Sequence, residues 1–186
     1  MSTKKELTSQ YQPNEIEERI YRLWEESGFF NPDKLPKTHK KPFTIIMPPP
    51  NANGSLHIGH AVFVTLQDIM IRFNRMRGKK ALWVPGADHA GFETQVVFDK
   101  KLEKEGRSRF KIPRDELYAE MIAFTQANKK IMENQLKKLG ASCDWSREKF
   151  TLDPDIVEQA QRTFIDLYHD GLIYRGERII NWDPKG

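Results

Sequence analysis

Three consecutive prolines, Pro48, Pro49 and Pro50, stand between the aromatic and β-branched segment FTIIM and a turn that ends in His57-Ile58-Gly59-His60. Proline has no backbone N–H and a fixed φ, so a central strand cannot run through three of them. The strand must stop, and the chain beyond it is held extended with carbonyls available as acceptors. Gly54 permits a tight turn after the prolines. From Ile58 onward, Val62, Leu66, Ile69, Phe73 and Met76 recur every three or four residues up to Gly78, the pattern of an amphipathic helix with a glycine stop. Residues 81–84 are apolar but too few for a helix, and they end at Pro85-Gly86, which predicts a second strand. Strand, turn, helix and strand in this order imply an α/β fold with parallel strands and a right-handed crossover. In such a sheet the ligand crevice lies beyond the carboxyl ends of the strands, where the loops PPPNANGSLHIGH and PGADHAG both fall.

The flanking sequence reads as mostly helical. Asn14 followed by Glu17 predicts an N-cap, with Ile16, Ile20 and Leu23 forming one stripe of a helix that ends at Gly28. Residues 31–41 form a linker rich in Lys and Pro. Helices are predicted over 92–105 and 113–139, the second with Leu117, Met121, Phe124, Ile131 and Leu139 near one face. Asp153-Pro154 predicts a cap with proline at the first helical position, for a helix running through His169 to Gly171. Residues 172–182 have strand propensity broken at Arg175-Gly176.

Composition narrows the function classes. A single cysteine, Cys143, excludes an intrachain disulfide and a cysteine-based zinc site. No apolar run is long enough to span a membrane and the first residues lack a signal-peptide core, so a cytoplasmic protein with no membrane partner is expected. The net charge of +4 permits a polyanionic partner without requiring one.

The two loops hold the candidate chemistry. His57 and His60, three apart at a helix start, have three open roles: capping and packing, binding of phosphate or ribose oxygens, or metal ligation. The last lacks further ligands, and no metal is expected. The loop also lacks the lysine and Ser/Thr pair of a P-loop. Asp88 is either a cap after Gly86 or an anion facing the crevice.

At these residues a resemblance enters. PPPNANGSLHIGHA resembles the HIGH signature of class I aminoacyl-tRNA synthetases, and segments 66–97 (LQDIMIRFNRMRGKKALWVPGADHAGFETQVV), 136–153 (LKKLGASCDWSREKFTLD) and 171–185 (GLIYRGERIINWDPK) are similar to the valyl branch of that family. Ala52-Asn53 and Phe92-Glu93 depart from it, since many valyl enzymes have Val-Thr and Ile-Ala there. An isoleucyl-type enzyme and a non-catalytic half-domain that binds ATP or an RNA end are the alternatives.

The resemblance implies a Rossmann-like nucleotide-binding catalytic domain, of which residues 42–186 would be the first half, ending just before an editing insertion. Residues 1–41 would be an N-terminal helix and linker. It implies valine, ATP with Mg2+ and tRNA(Val) as substrates of the full-length parent, and a monomer with no tightly bound cofactor. His57 and His60 would be catalytic, contacting ATP phosphates, with Asn53, Gly54 and Gly59 completing the ATP site. Pro48, Pro49, Asn51 and Asp88 would take the amino acid, Asp88 holding its ammonium. The family's KMSKS loop is not among the 186 residues, so this chain alone is expected to be weakly active or inactive.

Overall fold

A computed structural model describes residues 10–184. The described residues fall into two units, divided between Phe150 and Thr151.

In the first unit, β1 (Pro42–Ile46) and β2 (Lys80–Val84) pair in parallel, with Ile45 opposite Trp83 and Ile46 opposite Val84. The connection between them is α2 (Ile58–Met76), so the βαβ unit forms as its sequence dictates. Alternation along β1 turns Phe43 and Ile45 to one face, where with Leu56 and Phe63 they border a core of Met47, Val64, Ile71, Trp83 and Leu136.

Beyond Ile46 the ladder behaves as the prolines require. Met47 N–H still bonds to Val84 O at 2.9 Å, then pairing lapses and resumes as an isolated parallel bridge between Asn51 and Asp88. Pro50 O accepts from Asp88 N at 2.8 Å, and Ala52 N donates to Asp88 O at 2.7 Å. Five steps on the proline side (46 to 51) span four on the other (84 to 88), so the proline strap carries one extra residue, as in a bulge. The two candidate loops are therefore stitched together by backbone.

A second parallel pair, β3 (Gly86–Ala87) with β4 (Lys149–Phe150), braces the same segment from the other side. Gly86 suits this close approach, because a Cβ there would lie 3.1 Å from the backbone oxygen Lys149 O. Sequence patterning does not predict these two-residue strands, which are too short to show a period.

The remaining helices of the first unit are α1 (Pro13–Ser27), α3 (Phe92–Lys104) and α4 (Arg114–Lys138). On α4, Lys129 Nζ binds Glu133 at 2.6 Å and Glu148 at 2.7 Å, tying the helix to the residue before β4. Tyr21 of α1 donates to Ala141 O and accepts from Trp145 Nε1, both at 2.7 Å. Burial raises the Tyr21 phenol and the Cys143 thiol far above their ordinary values, so both stay neutral.

Three helical expectations need correction. α1 begins at Pro13 with Gln12 at the cap, so Asn14 already lies inside the helix, and Tyr21 rather than Leu23 is its buried residue. On α2 the predicted stripe is the exposed one: Val62, Leu66, Ile69, Phe73 and Met76 lie outside, and Val64, Ile71 and Asn74 face in. On α4 the buried residues are Thr125, Met132 and Leu136, while Ile131 and Leu139 are exposed. α2 is apolar on most of its circumference, so spacing alone could not select the inward face.

The second unit contains α5 (Pro154–His169), with Asp153 at the cap position and Pro154 at the start, as predicted. Residues 172–182 form no strand. A segment with β propensity stays irregular without a partner edge to complete its backbone bonds.

Candidate active site

His57 ends the proline-and-glycine loop in extended conformation and occupies the N-cap of α2. Its Nδ1 accepts from Gly59 N at 3.1 Å, while His57 N donates to His60 Nδ1 at 3.2 Å. The rings lie 4.0 Å apart between centroids. The two imidazoles thus exchange the bonds that Ser and Glu exchange in a capping box. Because both Nδ1 atoms accept, each neutral ring carries its hydrogen on Nε2, and two N–H donors are left to bond outward. The helix start therefore offers imidazole donors in a region of positive dipole potential, a combination suited to phosphate oxygens. Capping and anion binding are compatible roles for these rings, since they use opposite ring nitrogens.

Gly59 is explained by the same cap. A Cβ there would lie 2.9 Å from His57 Cε1 and 3.0 Å from Nδ1, so the space that glycine leaves is filled by the His57 ring. Gly59→Ala is expected to swing that ring away without disturbing the backbone, costing about 0.5–2 kcal/mol as lost N-caps do. Thermal unfolding measures the cost, and loss of the bond to His57 Nδ1 shows as faster exchange of the amide at position 59.

Burial lowers the His60 pKa below its ordinary 6.5, and repulsion from His57 adds to the shift. The folded ring therefore binds a proton less readily than the unfolded one. The cap's contribution to stability is intact above pH 6.5 and is lost as pH falls through the depressed folded value. Protonation also places a hydrogen on Nδ1, facing the His57 N–H. The cap is expected to open on acidification, and a pH titration of the two histidine rings by NMR should show it opening before α2 itself melts.

The loop is held from behind by Gln135 of α4, whose Oε1 accepts from Leu56 N at 2.8 Å. Asn53 and Gly54 are half-buried in the turn, and no neighbour lies within 4 Å of the position a Gly54 Cβ would take. Pro48 and Pro49 are exposed while Pro50 is buried.

Asp88 is half-exposed, and its Oδ1 accepts from Ala90 N at 3.0 Å and lies 3.4 Å from His89 Nδ1. Ala90 has φ of 59°, the left-handed region that alanine rarely adopts. Asp88 does not cap α3, whose N-cap is Gly91. It stabilises a strained turn with one oxygen, and its in-register pairing with Asn51 turns both side chains to the same face. Asn51 Nδ2 in turn donates to Glu93 Oε2 at 2.5 Å. In the sequence Glu93 stands out only as a departure from the valyl pattern; its contact with Asn51, 42 positions away, has no local signal.

Among the described residues no three His, Cys, Asp or Glu side chains gather as a metal site, and no helix is long and apolar enough to cross a membrane.

Residues 19–186 match the family model of class I tRNA synthetases (I, L, M and V). The chain belongs to the class I tRNA synthetases. It is 49% identical over 180 residues to a valine–tRNA ligase of Dehalococcoides mccartyi, covering 97% of this chain and 20% of the relative. A chloroplastic/mitochondrial valine–tRNA ligase of Arabidopsis thaliana is 49% identical over 169 residues, covering 91% and 17%. The fold is similar to LeuRS of Agrobacterium radiobacter K84, solved in a ternary complex with tRNA and LeuAMS, with a TM-score of 0.76, 28% identity and coverage of 95% and 20%. The chain thus spans about a fifth of the length of these relatives. Its α/β architecture, a parallel sheet with flanking helices, is the Rossmann-like catalytic fold of this family.

Proposed function

We propose that residues 42–186 supply the ATP and valine site of a valine–tRNA ligase. The observation that carries this reading is the backbone bridge between Asn51 and Asp88. It sets an amide and a carboxylate side by side at the carboxyl ends of the strands, on the loop that leads into the imidazole cap of α2.

The chemistry divides between the two loops. The valine carboxylate attacks the α-phosphorus of ATP, forming a C–O–P linkage as the bond to pyrophosphate breaks. A terminal ribose hydroxyl of tRNA(Val) then attacks the activated carbonyl and AMP leaves. Charge develops on phosphate oxygens in the first step, and the Nε2–H groups of His57 and His60 are donors of the kind that stabilise it. Asn53, Gly54 and Gly59 shape the ATP side, and Mg2+ enters with ATP as part of the substrate. On the other side Asp88 pairs with the ammonium, with Asn51 and the Pro48 carbonyl as neutral acceptors and Pro49 lining the approach. No covalent enzyme intermediate is needed, so positioning and electrostatics do the catalysis.

Amino-acid-dependent exchange of labelled pyrophosphate into ATP, compared across all twenty amino acids in a full-length parent that carries these residues, tests the reading. Valine should support the fastest exchange. A preference for isoleucine rejects the valine assignment. Saturable ATP binding that His57→Ala abolishes, with no exchange for any amino acid, favours a non-catalytic binder.

A further inference from the structure

We propose that Glu93 is a positioning residue for amino-acid recognition: it fixes the Asn51 side-chain amide so that Oδ1 is the atom presented to the substrate ammonium. The proposal rests on the reading above, in which Asn51 and Asp88 receive that ammonium.

An asparagine amide has a donor end and an acceptor end, and rotation by half a turn exchanges them. An ammonium carries only donors, so it is attracted by Oδ1 and repelled by the NH2 group. Left to itself, the Asn51 amide would present either end. Glu93 removes that freedom. An ionised carboxylate only accepts, so the 2.5 Å bond from Asn51 Nδ2 to Glu93 Oε2 can form in one amide orientation alone. Oδ1 is then turned away from Glu93, on the side chain that shares a face with Asp88.

Glu93 is placed for this by a rigid element rather than by the loop. It lies in the first turn of α3, where its negative charge also suits the helix N-terminus. The same turn is tied to the Asp88 loop by Thr94 Oγ1, which donates to His89 O at 2.6 Å, and by Glu93 N, which donates to Ala90 O at 3.1 Å. A movement of α3 would carry Glu93 and the Asp88 loop together, so the amide stays aligned with the carboxylate beside it. Glu93 is itself exposed, and an exposed hydrogen bond of this type adds little to stability. Orientation of Asn51 is what the bond provides.

The test uses L-valine and 3-methylbutanoate, which keeps the side chain and carboxylate and lacks the ammonium. Glu93→Ala should weaken valine binding by about tenfold, the scale of one well-placed polar contact, and leave ATP and 3-methylbutanoate affinities unchanged. Glu93→Gln, whose Oε1 still accepts from Asn51 Nδ2, should restore most of the loss. In a nitrogen-15 spectrum the Asn51 side-chain NH2 pair should shift in Glu93→Ala and stay near its original position in Glu93→Gln. Wild-type preference for valine over 3-methylbutanoate, with no change in Glu93→Ala, overturns the role of Glu93 alone. Equal losses for valine and ATP, or an unshifted Asn51 pair, overturn it as well. A wild-type protein that binds valine no better than 3-methylbutanoate removes the ammonium site itself, and the proposal with it.

Discussion

Asp88→Asn should weaken valine binding by one to two orders of magnitude and leave ATP binding nearly untouched. The substitution is suited to the question because it separates charge from shape. Asparagine keeps an Oδ1 that can accept from Ala90 N, a bond of 3.0 Å in the native turn, so the left-handed Ala90 conformation keeps its support. The backbone bridge to Asn51 involves main-chain atoms only and is indifferent to the change. What disappears is the negative charge that the proposal pairs with the ammonium. A charge-assisted hydrogen bond contributes about 1.5–3 kcal/mol, which converts to roughly ten- to a hundredfold in affinity. ATP has no ammonium, and removing a nearby anion cannot disfavour its phosphates. Separate calorimetric titrations of the two ligands measure both effects. If ATP affinity collapses while valine binding persists, Asp88 faces the nucleotide or merely props its loop.

What the sequence reveals of the two loops and of the fold around them differs residue by residue. Three prolines cannot hide: their missing N–H groups dictate the gap in the ladder between Met47 and Asn51 whatever the rest of the chain does. The histidines announced a helix start, yet their reciprocal use of Nδ1 needed coordinates, because spacing does not specify which ring nitrogen bonds inward. Gly59 illustrates the same limit. The resemblance implies only that it belongs to the ATP site, and that the His57 ring occupies its Cβ direction is visible in the coordinates alone.

Periodicity succeeded in locating helices and failed in orienting them. Val62, Leu66, Ile69 and Phe73 form as regular an apolar stripe as Val64 and Ile71, yet more than half of each residue in the first set is exposed. A helix apolar on both sides carries two answers to the question of which face is inside, and only the sheet it packs on decides. Glu93 was hidden for another reason. Its contact with Asn51 spans 42 positions in sequence, and nothing local to either residue encodes it.

Trp83→Ala is expected to have the largest effect on stability of any single change in the first unit. Trp83 lies on β2 opposite Ile45, is fully buried, and packs in the cluster with Met47, Val64, Ile71 and Leu136. Its indole Nε1 donates to Gln67 Oε1 at 3.0 Å, and its carbonyl accepts from Asp144 N at 2.9 Å. Truncation leaves the backbone bond and removes everything else. Large aromatic-to-alanine changes in cores cost about 3–5 kcal/mol, because neighbours held by a sheet and a helix cannot close the cavity. The loss also strands Gln67 Oε1, which adds about 1–3 kcal/mol unless water reaches it. Against a typical total of about 5–15 kcal/mol, that sum consumes much of the stability available. Each 1 kcal/mol corresponds to roughly 2–4 °C in a chain of this size, so the melting temperature should fall by about 8 °C or more. Trp83→Phe refills most of the volume but leaves Gln67 unpaired, and should lie between the wild type and alanine. Melting curves of the three proteins by circular dichroism test the order. A Trp83→Phe protein as unstable as Trp83→Ala would mean that the bond to Gln67, and not the packed indole, holds β2 against α2.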